Sequence, residues 1–173
     1  EMDLESQTLV STITGSFQCR AIAYSEDDDW LYMSGWGDPV YIVEKDGTIV
    51  DTFDLSLTTS TYGFAYDKWD EAAPLLWVHD QGGTGSQILA YSFAEEKFME
   101  GEWYYHDVTQ EVPGGIAGGL ALNEWMTGSG FAAFIACSQA GTDTILCYES
   151  TITKPPEHDV RVKSIDSPST GSA

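Results

Sequence analysis

Each of the three histidines in this chain is followed directly by an aspartate, a pairing that metal chemistry could use. The pairs are His79-Asp80, His106-Asp107 and His158-Asp159. Paired His-Asp residues are typical of metal-dependent phosphohydrolases, whose metal ligands lie on helices. Here short runs of β-branched and aromatic residues surround the pairs, and neighbouring side chains of a strand point to opposite faces. One pair therefore cannot easily chelate one ion, and we predict neither catalytic residues nor a metal site.

The acidic run at residues 26–29 could bind calcium, which prefers carboxylate oxygens. The run lacks the glycine at position six and the glutamate at position twelve that an EF-hand loop requires. Asp67, Asp70 and Glu71 occupy the equivalent turn of a second repeat. Because acidic residues in tight turns usually cap their own backbone, we predict no cofactor, with calcium as the alternative.

Other polar and aromatic residues are placed where a ligand could contact them. Trp36 lies between two glycines in a predicted loop. Exposed aromatic faces with acids nearby suit sugar rings or cationic groups. The alternative is that Trp36 packs between sheets. The candidate ligand-binding residues, all in or beside loops predicted at one end of the strands, are Trp36, Asp38, Tyr62, His79 and Asp80.

The elements that must position these residues are predicted to be strands of a repeat. Residues 8–13 are echoed by residues 48–53, and residues 20–24 by residues 62–66. Repeats of roughly 40 to 50 residues built from short strands are typical of β-propeller blades. No stretch of eleven or more residues has apolar positions at helical spacing.

We therefore predict an all-β fold with about three β-propeller blades of four antiparallel strands, forming a partial ring. The predicted strands are 20–24, 30–34, 39–44 and 48–54, then 63–67, 75–80, 87–93 and 102–108, then 119–123, 131–138 and 144–150. Asp46-Gly47 is a two-residue hairpin signal. Residues 8–14 are predicted as a leading outermost strand. Three blades are too few to close a ring, so the chain is either part of a longer protein or half of a six-bladed homodimer.

The composition changes after residue 152. Pro155 and Pro156 favour an extended, stiff linker. Residues 158–165 then alternate polar and apolar side chains, as a half-exposed strand does. We predict a propeller segment over residues 1–152, followed over residues 153–173 by a linker and the first strand of another domain.

The three cysteines, Cys19, Cys137 and Cys147, lack the CxxC spacing of a zinc site. If residues 131–138 and 144–150 form a hairpin, Cys137 and Cys147 share one face of it. A three-residue turn would place them directly opposite each other, close enough to cross-link. Both a disulfide and two buried thiols are consistent with this pattern.

The net charge of the chain limits which molecules it can bind. The 173 residues include 28 acids and 7 bases, a net charge of −21, which excludes nucleic acid and anionic membranes as partners. The longest apolar run, residues 131–137, has the length of a strand and is too short to span a membrane. A solvated acidic coat is the simplest interpretation of the charge.

Several stretches resemble the blades of secreted β-propeller proteins on bacterial cell surfaces, of a Bacteroidetes-like kind. They are RAIAYSEDDDWLYMSGWGDPVYIVEKDGTIVDTFDL, YGFAYDKWDEAAPLLWVHDQGG and PGGIAGGLAL. The tail HDVRVKSIDSPSTGSA is similar to the start of an immunoglobulin-like module of the CARDB type. The resemblance implies an exported, multidomain surface protein and supplies no catalytic residues.

These observations together predict a non-catalytic recognition or scaffold module, secreted or at the cell surface. We expect it to bind extracellular glycan or protein through the loops at the rim of the propeller. The alternative is a propeller enzyme of the lactonase or hydrolase type with a metal on its axis.

Overall fold

The structure, a computed structural model, describes residues 2–3, 5–10, 12–13, 17–70, 72–83, 85–123 and 131–153. Regular structure in these residues consists of strands and of two short 3-10 turns, Glu102–Tyr104 and Val108–Gln110. The predicted all-β fold is therefore confirmed. The linker and following domain predicted beyond residue 152 lie outside the described residues, apart from the end of the last strand at Thr153. That domain boundary stays a prediction.

The strands form three antiparallel sheets, which we call blades 1, 2 and 3, and a separate hairpin. The hairpin pairs β1 (Met2–Asp3) with β2 (Thr8–Leu9). Blade 1 has the order β3 (Ala21–Ser25), β4 (Trp30–Ser34), β5 (Val40–Val43), β6 (Ile49–Phe53). Blade 2 contains β7 (Thr61–Asp67), β8 (Leu75–Asp80) and β9 (Gln87–Ser92), with β10 (Lys97–Phe98) and β11 (Tyr105–Asp107) both paired to β9. Blade 3 contains β12 (Ile116–Asn123), β13 (Phe131–Gln139) and β14 (Thr144–Thr153).

The turn between β5 and β6 shows how the sequence directs a hairpin. Gly47 has a φ of 97°, a left-handed conformation that favours glycine. The Asp46 carboxylate accepts a hydrogen bond of 2.8 Å from the backbone N–H of Thr48. Val43 pairs with Ile49 across the turn. The predicted hairpin is confirmed, with a turn longer than the two-residue signal implies.

Two predicted strands differ from those observed. Of the described residues in the leading strand expected over 8–14, only Thr8–Leu9 form a strand, which pairs with β1. The last strand of blade 2, expected over residues 102–108, begins only at Tyr105. Gly101, at a φ of 108°, starts a 3-10 turn, and the Tyr104 N–H bonds to its carbonyl at 3.1 Å. The additional strand β10 was not predicted.

The three blades stack face to face through two apolar layers. Interface 1/2 joins blades 1 and 2 through residues such as Ala21, Tyr32, Val40, Phe64, Val78 and Tyr91. Interface 2/3 joins blades 2 and 3 through residues such as Ala65, Trp77, Ile88, Leu120, Phe134 and Ala136. Gly63 on β7 lets β12 approach closely, because a Cβ there would overlap the backbone at Leu120. Stacked sheets with their first strands side by side form part of a β-propeller.

The pairing expected for Cys137 and Cys147 is wrong in register. Cys137 lies opposite Ile145 and Cys147 lies opposite Ile135, so the two cysteines are diagonal neighbours on one face. Diagonal positions are about 7–8 Å apart, beyond the usual reach of a disulfide. The reason is a longer turn, since Ser138 already pairs with Thr144. All three thiols are unpaired and exposed, so the alternative of buried thiols is wrong as well.

Candidate functional site

Two of the predicted ligand residues, Trp36 and Tyr62, lie together at one end of blades 1 and 2. The Trp36 side chain is 55% exposed. The centroids of the two rings are 5.9 Å apart, and their planes meet at 65°, an edge-to-face contact that aromatic pairs favour. Arg20 completes this cluster, and we call the three residues the rim patch.

The turn between β4 and β5 positions Trp36. The Ser34 hydroxyl donates to the backbone carbonyls of Gly35 and Asp38, at 3.1 Å each. A Cβ at Gly35 would overlap the carbonyl of Gln18, so a glycine is required where the chain crosses before β3. Because these contacts fix the turn, the Trp36 ring is held at the surface.

Arg20 was not among the predicted site residues. Its guanidinium carbon lies 4.6 Å from the ring centroid of Trp36 and 5.6 Å from that of Tyr62. A cation at this distance over aromatic rings is attracted by their negative faces. The sequence held one clue: Arg20 is one of 7 basic residues and directly precedes an innermost strand.

Asp38 is exposed in the turn that carries Trp36. It therefore adds a carboxylate to the rim beside the patch. The structure brings three of the five candidate residues, Trp36, Asp38 and Tyr62, to one end of the blades.

Asp80 lies beneath this rim rather than on it, with no exposed surface. Its carboxylate accepts hydrogen bonds from the backbone N–H groups of Thr59, Ser60 and Gly82, at 3.1, 2.8 and 2.6 Å. The side-chain amide of Gln87 donates a fourth, at 3.2 Å. These bonds join the loop that enters blade 2 to the turn between β8 and β9, so Asp80 fixes the shape of the rim from inside.

His79 is also fully buried, and it faces blade 3. Its Nε2 is 2.9 Å from the Ser86 hydroxyl, whereas its buried Nδ1 lies near the backbone of Gly118 and Gly119 without a well-formed hydrogen bond. Burial lowers the pKa of His79, because it disfavours the charged imidazolium. Both side chains are buried and hydrogen-bonded to other residues of the chain. Contact of a ligand with His79 or Asp80 stays a prediction.

The acidic turn at residues 26–29 is engaged with the chain's own groups. Glu26 pairs with Lys68 at 2.6 Å, and Asp29 pairs with Lys45. The Asp28 N–H bonds to the Ser25 hydroxyl at 3.2 Å. Within the ranges that the structure describes, no group of three or more His, Cys, Asp or Glu residues is placed to hold a metal ion.

Asp67, in the equivalent turn of blade 2, caps its own backbone as predicted. It accepts hydrogen bonds from the N–H groups of Trp69 and Asp70, at 2.9 and 3.2 Å, and from the Trp77 indole at 3.0 Å. Burial nevertheless raises the pKa of its carboxyl group.

In the described part of the chain, no helix is long and apolar enough to cross a membrane. No protein-family model matches the sequence, and no curated protein matches it.

Among solved structures, the chain is similar to the WD40 domain of Neurospora crassa Pan2, with 12% sequence identity and a TM-score of 0.46. The match covers 79% of this chain and 34% of that one, so the chain spans about a third of that structure's length. The assignment of the fold comes from the molecule itself: three antiparallel sheets, stacked face to face in chain order, make the chain a partial β-propeller.

Proposed function

We propose that this chain is a non-catalytic recognition module that binds a protein partner through the rim patch. The observation that carries the proposal is Trp36, whose side chain is 55% exposed while Arg20 and Tyr62 hold its ring. Tryptophan, tyrosine and arginine are the residue types enriched at the energetic centres of protein interfaces. A ring that is already held loses little conformational entropy when a partner covers it.

The contacts of Arg20 favour a protein over a glycan. A sugar ring stacks on an open aromatic face, and the guanidinium of Arg20 covers part of the Trp36 ring. The same guanidinium offers hydrogen-bond donors to a carboxylate or a backbone carbonyl of a partner. Asp80 supports the patch indirectly, because it fixes the loop that precedes Tyr62.

The test uses a displayed peptide library and a glycan array, each probed with the wild-type chain and with Trp36→Ala. We expect peptides selected on the wild type to bind Trp36→Ala about tenfold more weakly or worse, a loss of about 1.4 kcal/mol. Val50→Ala is the control, since Val50 is an exposed apolar side chain on β6 that belongs to neither the rim patch nor any other proposed binding surface. Equal binding of the selected peptides to Trp36→Ala would overturn the proposal. If a glycan binds the wild type and not Trp36→Ala, the ligand of the rim patch is instead a glycan.

We further propose that the module acts outside the cell, secreted or at the cell surface. The resemblance of its blades to secreted propellers supports this location. Protease treatment of intact cells that make the protein should remove it, and full protection from the protease would contradict the proposal.

We also propose a homodimer, in which two copies of the chain complete a six-bladed ring. The two ends of the stack are apolar: Ile22 and Tyr24 of blade 1 are 51% and 41% exposed, and Ile145 of blade 3 is 75% exposed. Contact between blade 3 of one copy and blade 1 of the other would bury these side chains in pairs. Sedimentation should give twice 18.9 kDa for the wild type and a monomer for Ile145→Asp. A wild type that stays monomeric at high concentration would exclude the ring.

A further inference from the structure

A second aromatic surface lies at the outer side of interface 2/3. A cleft of about 580 Å³ opens there between blades 2 and 3, and we call it the outer cleft. Trp69, just beyond the end of β7, lines it, whereas Tyr62 of the rim patch lies at the start of β7. Since a strand rises about 3.3 Å per residue, the two surfaces are separated by roughly 20 Å.

The floor of the outer cleft is fixed by aromatic contacts. The ring centroids of Trp77 and Phe134 are 4.7 Å apart, and those of Trp77 and Tyr104 are 6.2 Å apart. Above this floor the Trp103 side chain is 70% exposed and that of Tyr105 is 40% exposed. The cleft therefore presents aromatic faces to solvent on a base that is already packed.

The charges that line the outer cleft are almost all negative. Asp70, Glu102 and Glu149 line it, and no lysine or arginine does among the described lining residues. His106, also in the wall, bonds to the Glu111 carboxylate at 3.2 Å. Aromatic faces combined with carboxylates attract cations, and the net charge of −21 adds a long-range attraction for basic partners.

We propose that the outer cleft binds a cationic side chain, arginine or lysine, carried by a basic segment of a partner protein. Trp103 supplies the aromatic face for the charged group, and Glu102 supplies the counter-charge. The methylene stem packs on the aromatic floor, as the stems of long basic side chains do on apolar surfaces. The volume lies within the roughly 300–1,000 Å³ of typical ligand sites.

The rim patch and the outer cleft differ in the charge that they already contain. The rim patch holds its own cation, Arg20, over its tryptophan. The outer cleft has carboxylates and no lysine or arginine among its described lining residues. Lys68 lies over one lining ring, 5.6 Å from the centroid of Trp69, and not over Trp103. A cationic ligand can therefore bind over the ring of Trp103, whereas Arg20 already occupies that position over the ring of Trp36.

The experiment compares the binding of two acetylated peptides. One contains two arginines flanked by glycines, and in the other both arginines are replaced by citrulline. Citrulline keeps the shape of arginine and removes its charge. Calorimetry on the full chain should show saturable binding of the arginine peptide, weaker at high salt, and at least about tenfold weaker binding of the citrulline peptide. Trp103→Ala and Glu102→Gln should each reduce affinity for the arginine peptide about tenfold.

Two controls separate the outer cleft from the rest of the surface. Glu100→Gln removes an exposed charge close in sequence that does not line the cleft, and Trp36→Ala removes the tryptophan of the rim patch. Both should bind the arginine peptide like the wild type. Equal binding of the arginine and citrulline peptides, no saturable binding, or loss of binding in Trp36→Ala alone would overturn the proposal. If Trp103→Ala fails to fold, Glu102→Gln against Glu100→Gln decides the question.

Discussion

Interface 1/2 is closed at its outer side, whereas interface 2/3 is open there. In interface 1/2, Phe53 of β6 stacks on Tyr91 with ring centroids 5.1 Å apart, and Phe93 lies 5.8 Å from Phe53. In interface 2/3, β14 is the outermost strand of blade 3 within the described residues, and the outer cleft lies between it and blade 2.

Blade 2 takes part in both interfaces, so the difference comes from its neighbours. Blade 1 has a fourth strand that contributes Phe53, and the described part of blade 3 has three strands. An aromatic side chain of blade 2 that the neighbouring blade covers is buried, as Tyr91 is, and one that it leaves uncovered is exposed, as Trp103 is. The comparison indicates that the outer cleft arises where blade packing ends.

The largest expected effect is on the free energy of unfolding when one phenylalanine of each interface is replaced by alanine. Phe64→Ala in interface 1/2 should reduce the free energy of unfolding by about 3–5 kcal/mol, because it leaves a closed cavity. Phe134→Ala should cost at least about 1 kcal/mol less, because Phe134 lines the outer cleft and water can enter the space that it leaves. Urea unfolding measures both values, and equal costs would show that interface 2/3 is as closed as interface 1/2.

A second contrast concerns the loops that lead into each interface. Asp80→Ala should destabilise the chain by about 3 kcal/mol, since it leaves the buried N–H group of Gly82 and the partly buried N–H groups of Thr59 and Ser60 without their acceptor. Asp107→Ala, in the chain leading to blade 3, should cost about 1 kcal/mol, because the Asp107 carboxylate caps the backbone N–H of Thr109 and also accepts a bond from the hydroxyl of that residue.

Thermal unfolding of the two aspartate variants gives the ranking. A larger loss for Asp107→Ala would mean that the loop into blade 3 is the more tightly held, and the proposed role of Asp80 beneath the rim would fail.

The smallest effect is a pH dependence that His79 contributes at interface 2/3. Because burial lowers the pKa of His79 in the folded state, the unfolded chain binds a proton first as the pH falls below about 6.5. The free energy of unfolding should then decrease by at most about 1.4 kcal/mol per pH unit. His79→Gln should make the curve flatter between pH 7 and 5, and an unchanged slope would contradict a buried neutral imidazole.

The strands of blade 1 and the first three strands of blade 2 could be predicted because their signals are local. Alternating burial in β3, with Ala21 and Ala23 inside and Ile22 and Tyr24 outside, follows directly from the period of a strand. The register of β13 and β14 could not be predicted, because it depends on the length of the turn between them. The sequence of that turn contains no clear signal for its length. For the same reason the pairing of Cys137 was placed two residues away from its actual partner.

The rim patch was predicted in part. Trp36 between two glycines signals an exposed aromatic, but its contact with Arg20 depends on how the chain before β3 crosses the β4–β5 turn. His79 and Asp80 were placed at the rim because they end a strand, and only the tertiary structure shows that loops cover them. The outer cleft was missed because its walls come from two blades.

The exposed thiols of blade 3 have a practical consequence. Cys137 and Cys147 lie on its outward face, too poorly aligned to bond with each other. Because Cys19 is exposed as well and would also cross-link, the test uses Cys19→Ser, in which air oxidation joins separate molecules through this face rather than forming an internal bridge. Non-reducing electrophoresis can thus report whether the face is bare, since an assembly that shields both sulfurs will stay uncrosslinked.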